Sequence, residues 1–274
     1  MRPISHRNSR ANRVEITAGG RRRRVKVTEV AETQLTKLKG WNTYLDTRYQ
    51  KQNDGSACGF LGAQEETASA TTLSIDPIYT EGPTGPTLFC ESASAKGLSA
   101  NVDFSSGGTF TCFVVCDKFD GASAALRVAV EYERYFAGTN GWSLFFTENN
   151  NRIYIGMGTA GVYSDLYYDS AILSTGAHVY AFTGDSGQAH PNQLKLWIDG
   201  VAQTPTSIGL GTGMVGNFAS GPLTLGGRDN GAGGLERPFN GKIQTILTTT
   251  AVISDIDIEE TSQLLAVQHI GTSL

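Results

Sequence analysis

The chain is poor in the residues that hold metal-bound or disulfide-stapled folds together. It has 4 cysteines and 4 histidines in 274 residues. No Cys-x-x-Cys pair occurs and the histidines are scattered, so the spacing that builds a zinc centre is missing and no metal or cofactor is expected. Cys112 and Cys116 fall within one apolar run that reads as a strand. Four residues of strand span roughly 13 Å, beyond the reach of a disulfide. With Cys58 and Cys90, these read as buried reduced thiols.

Long apolar runs are also lacking, so no segment reads as a membrane span. Met1 leads into a polar, arginine-rich stretch rather than the apolar core of a secretory signal, which predicts a soluble product of the cytoplasm. Heptads, collagen-like periodicity and internal repeats are absent. Gly209-Leu210-Gly211-Thr212-Gly213 carries no Lys-Ser/Thr pair and opens no helix, which excludes a phosphate loop.

What is present points to a β-rich body. Hydrophobic residues make up 39% of the chain, enough for a sizeable core, and 33 glycines suit many turns. Charge divides unevenly. Residues 1–51 hold 13 Lys/Arg against 4 Asp/Glu, a balance of +9, whereas the remainder is at −13. A basic arm joined to an acidic domain is the direct reading.

The arm carries Arg13 and the run Arg21, Arg22, Arg23 and Arg24 with little apolar material between them, so alone it is expected to be extended. Its short alternating segments would suit a strand added to a partner's sheet edge. Leu35, Leu38, Trp41 and Leu45 recur at helical spacing, predicting a short helix with Trp41 as an anchor. Residues 51–84 read as a connector, because Gly82-Pro83-Thr84-Gly85-Pro86 is a turn cluster.

From residue 85 the period is two. Phe110–Cys116, Ala125–Tyr135, Trp142–Thr147, Arg152–Met157, Val162–Tyr168, His178–Thr183 and Leu194–Ile198 read as strands separated by turn signals such as Asn140-Gly141 and Asp199-Gly200. The expected fold is an all-β antiparallel sandwich. It closes with a short C-terminal helix capped by Ser254 and favoured by Asp255, Asp257 and Glu259 at its positive end.

Three motifs carry a resemblance. Gln193–Gly200, an apolar strand ending in Asp-Gly, is followed by Leu223-Thr224-Leu225-Gly226-Gly227-Arg228 and by Phe239-Asn240-Gly241-Lys242-Ile243. Their order and spacing resemble the concanavalin A-like and laminin G-like jelly rolls, as does the acid-rich helix after Ile253-Ser254. Such a domain beside a short attachment region is similar to those of tailed-bacteriophage virion proteins. The resemblance implies a structural or adhesion component of a virion, either a capsid decoration or a tail-fibre appendage. Its arm would fasten to other virion proteins and its sandwich would meet a cell-surface glycan. Homo-oligomers are an expected form of such a module.

The same resemblance raises two alternatives, a stand-alone carbohydrate-binding lectin and a glycoside hydrolase, the latter because related β-glucanases set their acids along one strand. Here Glu131 and Glu133 stand in such a pattern, but Tyr135 occupies the third position, and the chain is read as a non-enzyme. For sugar stacking the candidates are Trp142, Tyr163, Tyr167 and Tyr168, against the alternative that part of this set fills the core. Asp185 and Asp229 are loop positions where a laminin G-like domain could hold calcium, or simple turn residues. The arginine run has no stacking platform beside it, which favours a protein partner over nucleic acid.

Overall fold

The computed structural model describes residues 97–270 except 119–124, 134–138, 148–151, 160–161, 170–175, 210 and 232–234, together with the backbone of seven earlier strands. Those are β1 (Arg13–Ala18), β2 (Arg21–Lys26), β3 (Thr43–Asp46), β4 (Ala57–Gly59), β5 (Thr67–Ala70), β6 (Ile78–Gly82) and β7 (Gly85–Cys90). Next come β8 (Leu98–Val102), β9 (Thr109–Lys118), β10 (Leu126–Tyr132), β11 (Gly141–Thr147), β12 (Arg152–Thr159), β13 (Val162–Asp169), β14 (Ala177–Asp185) and β15 (Leu194–Ile198). The chain ends with β16 (Val201–Ala202), β17 (Ser207–Ile208), β18 (Gly221–Leu225), β19 (Arg228–Asp229), β20 (Leu235–Glu236), β21 (Gly241–Thr249) and helix α1 (Asp255–Leu265). A π-helical turn, Ala266–Ile270, extends that helix.

Among the described residues the strands build two large antiparallel sheets. One runs β17-β13-β12-β11-β10-β18-β8-β5-β4; the other runs β16-β15-β14-β9-β21-β7-β6. Strand β9 explains why. Its sequence, TFTCFVVCDK, is rich in β-branched and aromatic residues, which favour a pleated, half-buried surface. It pairs along its length with β14 on one side and β21 on the other. Phe110, Cys112, Val114 and Cys116 point into the core between the sheets, while Phe113 and Val115 point the opposite way. Both faces must therefore be apolar, which is why no polar alternation shows in this run.

The face carrying Phe113 and Val115 is covered by α1. Ile258 and Leu265 pack there with Val179, Ala181, Trp197 and Leu247. Burying each aliphatic side chain is worth about 1.5–3 kcal/mol. Ser254 caps the helix by accepting from the Asp257 amide at 3.2 Å, and its hydroxyl donates to the Asp257 carboxylate at 2.6 Å. The Thr111 hydroxyl seats the approach to the helix, donating to the Ala251 carbonyl at 2.7 Å and accepting from the Ile253 amide at 3.2 Å.

The inter-sheet core is dominated by aromatics. Trp142 stacks on Phe110 at 4.6 Å and meets Phe104 and Phe182 edge-on, each at 5.5 Å. The Tyr132 hydroxyl accepts from the Phe104 amide at 3.1 Å and donates to the Ala219 carbonyl at 2.8 Å, so this buried phenol is satisfied. At one rim the buried amide of Gln193 joins two loops. Its Nε2 donates to the carbonyls of Met214 and Gln188, and its Oε1 accepts from the Met214 amide. Met214 and Phe218 are buried on that loop, whereas Val215 between them is 77% exposed.

The Asp199-Gly200 signal is realised as a tight turn with φ of 52° and 78°, the left-handed pair a two-residue hairpin requires. The Asp199 carboxylate also accepts from His178 Nδ1 at 2.6 Å and from the Val179 amide at 2.9 Å.

The N-terminal half departs from expectation in two ways. Residues 43–46, assigned to a helix by spacing, form β3 instead, with Leu45 opposite Ile246. Strand β7 covers β21 only from Gly241 to Ile243, and β3 supplies the partner for the ladder beyond it. Sheet pairing also reaches back through β4, β5 and β6, N-terminal to the expected boundary near residue 85. The two alternating segments of the arm pair with each other as β1 and β2, with Glu15 opposite Arg24. The side chains of Arg13, Arg21, Arg22, Arg23 and Arg24, and Trp41 altogether, lie outside the described residues.

The aromatic core sets a direct test. Trp142→Ala should cost about 3–5 kcal/mol in urea denaturation, because a large cavity opens where Phe110 and Phe182 converge. Ile256→Ala, at a position on α1 that is 59% exposed, should change stability by less than about 0.5 kcal/mol. Equal effects would mean that Trp142 is not a core residue.

Candidate functional site

The two sheets differ in what covers their outer faces. Helix α1 closes the β14-β9-β21 side. On the nine-stranded sheet, the segment carrying β19 and β20 crosses β10, where Val128 bridges Pro238 and its amide donates to the Arg237 carbonyl at 3.0 Å. A bulge between Val128 and Val130 accommodates this crossing. Beyond it lie the outer faces of β11, β12 and β13.

Strand register decides which side chains stand there, because directly paired residues share a face. Phe145, Tyr154 and Tyr167 form one transverse row, and Ser143, Gly156 and Asp165 form the next. Tyr163 follows, opposite Gly158. Tyr154 and Tyr167 meet edge to face at 4.5 Å, and Phe145 lies 6.3 Å from Tyr154. Gly156 contributes no side chain, and all three residues of the middle row are buried. Asp165 is buried there, 7% exposed. Burial, reinforced by the negative charge of Asp165, pushes the Tyr167 phenol above its ordinary range.

The wall beside β13 is the glycine run that could not be a phosphate loop. The Gly209 amide donates to the Asp165 carbonyl at 2.9 Å and the Gly213 amide to the Tyr163 carbonyl at 2.8 Å. A β-carbon on Gly211 would fall 1.9 Å from the Tyr163 carbonyl oxygen, so only glycine permits this approach. Smallness, not phosphate binding, is the reason for the run.

Ion pairs frame the face at both ends. Arg152 donates twice to Asp169, at 2.6 and 3.2 Å. At the other end Arg228 Nε donates to both oxygens of Glu131, at 2.9 and 3.2 Å, and its guanidinium lies 5.9 Å from the Phe145 ring centre. Arg228 also approaches Glu236 at 3.5 Å. Glu131 is only 1% exposed. Burial pushes its carboxyl up to about 8, against the opposing pull of Arg228.

The sequence candidates separate accordingly. Tyr163 and Tyr167 stand half-buried on this face. Trp142 and Tyr168 do not; both are buried between the sheets, a correction that follows from the register pairing Trp142 with Met157 and Tyr168 with Ile153. Tyr154 is a face residue that aromatic counting missed, although the alternation Ile153-Tyr154-Ile155 marks it.

Glu131 and Glu133 are not a poised pair. Strand β10 ends at Tyr132, and Glu133 takes a positive φ of 54° and accepts from the Thr139 hydroxyl at 2.9 Å. Asp165 stands three strands from Glu131, roughly 14 Å away across the sheet, wider than the carboxylate spacings that hydrolyse glycosides. Asp185 accepts from the Gly187 amide and Gln188 Nε2, and Asp229 from the Gly231 amide, so both organise turns. No group of three His, Cys, Asp or Glu side chains that could hold a metal occurs among the described residues.

No protein-family model and no curated protein matches the chain. Solved structures do match in fold. The binding domain of Paraclostridial Mosquitocidal Protein 1 superposes with a TM-score of 0.60 at 10% identity, over 82% of this chain and 52% of that one. The botulinum neurotoxin DC binding domain in complex with rat synaptotagmin II gives 0.55 at 10% identity, covering 81% of this chain and 51% of the other. Its complex with SialylT gives 0.55 at 10% identity, over 82% and 51%. The chain thus spans about half the length of the solved structures it matches. At these identities the likeness is one of fold: mostly β, in antiparallel sheets, with one short C-terminal helix.

The Glu131 pair generates a pH prediction. A carboxyl raised from 4.5 to about 8 in the folded state holds its proton more tightly there than in the unfolded chain. Its stabilising contribution is complete below the ordinary carboxylate value and is lost as pH climbs through about 8. Thermal unfolding should therefore show stability falling across that window by a few kcal/mol. Glu131→Gln, of similar shape but without the titration, should flatten the slope; an unchanged slope would assign it to other groups.

Proposed function

We propose that the chain is a recognition module that binds a saccharide-bearing receptor through the outer face of β11–β13 and performs no chemistry there. The supporting observation is the set of half-buried tyrosines, Tyr154, Tyr163 and Tyr167, that strand pairing brings to one face. Tyrosine presents an apolar ring with a polar tip, which suits the faces and hydroxyls of a sugar. Arg228 occupies both oxygens of Glu131, which argues against hydrolysis as the alternative. The matched toxin domains are themselves binding domains, and that of botulinum neurotoxin DC is solved both with SialylT and with rat synaptotagmin II, which makes a receptor-binding role a natural one for this fold.

The finer reading keeps the concanavalin A-like, laminin G-like assignment and display on a bacteriophage virion. In it, residues 1–50 fasten the module to other virion proteins. The +9 balance of residues 1–51 against the acidic remainder motivates that anchor. A chain lacking residues 1–30 should stay folded yet fail to enter virions; loss of folding would end the modular picture.

For the face itself, Tyr154→Ala and Tyr167→Ala should each weaken glycan binding at least about tenfold, equivalent to about 1.4 kcal/mol, in calorimetric titration. Circular dichroism should report an unchanged fold. Binding at wild-type strength in both variants would move the site elsewhere.

A further inference from the structure

We infer that α1 is the seat of the chain's own basic arm, and that the arm reaches another molecule only by leaving it. The anchoring role proposed above concerns where residues 1–50 go; this inference concerns where their β1–β2 hairpin is kept, and stands apart from it. The hairpin joins neither large sheet. Two paired strands are marginal by themselves in water and hold when packed against a helix. Strand β1 lies alongside α1.

The two elements complement each other in composition. Direct pairing sets Val14, Ile16, Ala18, Arg21, Arg23 and Val25 on one face of the hairpin, so apolar positions share that face with two arginines. Helix α1 offers the counterpart. Leu264 is 7% exposed yet is not a member of the cluster that Ile258 and Leu265 form toward the sheet, so it is covered from another side. Asp255, Asp257, Glu259 and Glu260 make the helix acidic, and residues 243–274 hold no lysine or arginine. Asp255, Asp257 and Glu260 are exposed, and among the described residues none of the four acids forms an ion pair. The helix spans 11 residues, about 16 Å, so a hairpin beside any part of it lies within about two Debye lengths of these acids at about 0.1 M salt. Exposed charge pairs are individually weak and screened by salt, so such a seat holds the arm loosely and can be vacated.

The test is limited trypsinolysis of the full-length chain, whose arm carries its own internal control. Arg7 lies ahead of the hairpin and Arg21–Arg24 lie within β2. At about 20 mM salt, cleavage within Arg21–Arg24 should be at least about tenfold slower than cleavage after Arg7, because a seated hairpin must open before the protease can thread it. The double variant Asp255→Lys/Glu260→Lys should bring the two rates to within about threefold, with circular dichroism unchanged. Raising salt to about 500 mM should do the same to the wild type, which carries the test if the variant does not fold. Protection should persist on about a hundredfold dilution; its loss would hand the seat to a second copy of the chain and overturn the inference. Equal rates at the two sites in the wild type, or protection that neither the variant nor high salt removes, would overturn it as well. All of these outcomes leave the saccharide-binding reading untouched, since the tyrosine face takes no part in them.

Discussion

Everything in this molecule is arranged around a strand that has no exposed face. Strand β9 is held by hydrogen bonds along both edges and buried above and below, with the aromatic core on one side and α1 on the other. A strand in that position tolerates almost no polar side chain. It also fixes the order of layers: helix, eight-stranded sheet, core, nine-stranded sheet. The helix closes one end of this stack; at the other, the described residues include the half-buried Tyr154, Tyr163 and Tyr167.

That end is shaped by opposites. Toward β10, the crossing segment of β19 and β20 buries Glu131 with Arg228, a pairing whose desolvation is only partly offset by the shared Nε hydrogen bond and a nearby aromatic ring. Toward β13, glycine lets the neighbouring backbone approach so closely that the edge becomes a wall. Between them stand the half-buried tyrosines. Rigidity comes from the sheet, and character comes from three or four side chains, the usual division in sites built on β-sandwiches.

How much of this the residues declare in advance depends on whether the information is local. The strands from β9 to β15, the Asp199-Gly200 turn and the Ser254 cap are readable, because alternation, φ requirements and capping act over a few residues. The direction in which a strand faces is not. In Val162–Asp169, Tyr163 and Tyr167 lie on one face and Tyr168 on the other, and both faces carry aromatics. Only pairing with β12 decides between them. Leu45 misleads for a related reason: its helical spacing from Leu38 and Trp41 is real, but the unpaired edge of β21 draws residues 43–46 into the ladder. The burial of Glu131 is legible from neither neighbour in sequence, since Arg228 arrives from 97 positions away.

The Gln193 amide gives the rim its own evolutionary logic. One side chain clasps the loop around Ser186–Gln188 and the backbone of Met214, with Met214 and Phe218 plugged into the core on either side of Val215. Insertion or deletion there would pull a buried plug or strand an amide without partners, so loop length is frozen. The tip is not. Descendants of this chain can rewrite what they present at Val215 while the loop beneath keeps its length and course, which makes the rim a place to change identity by single substitutions.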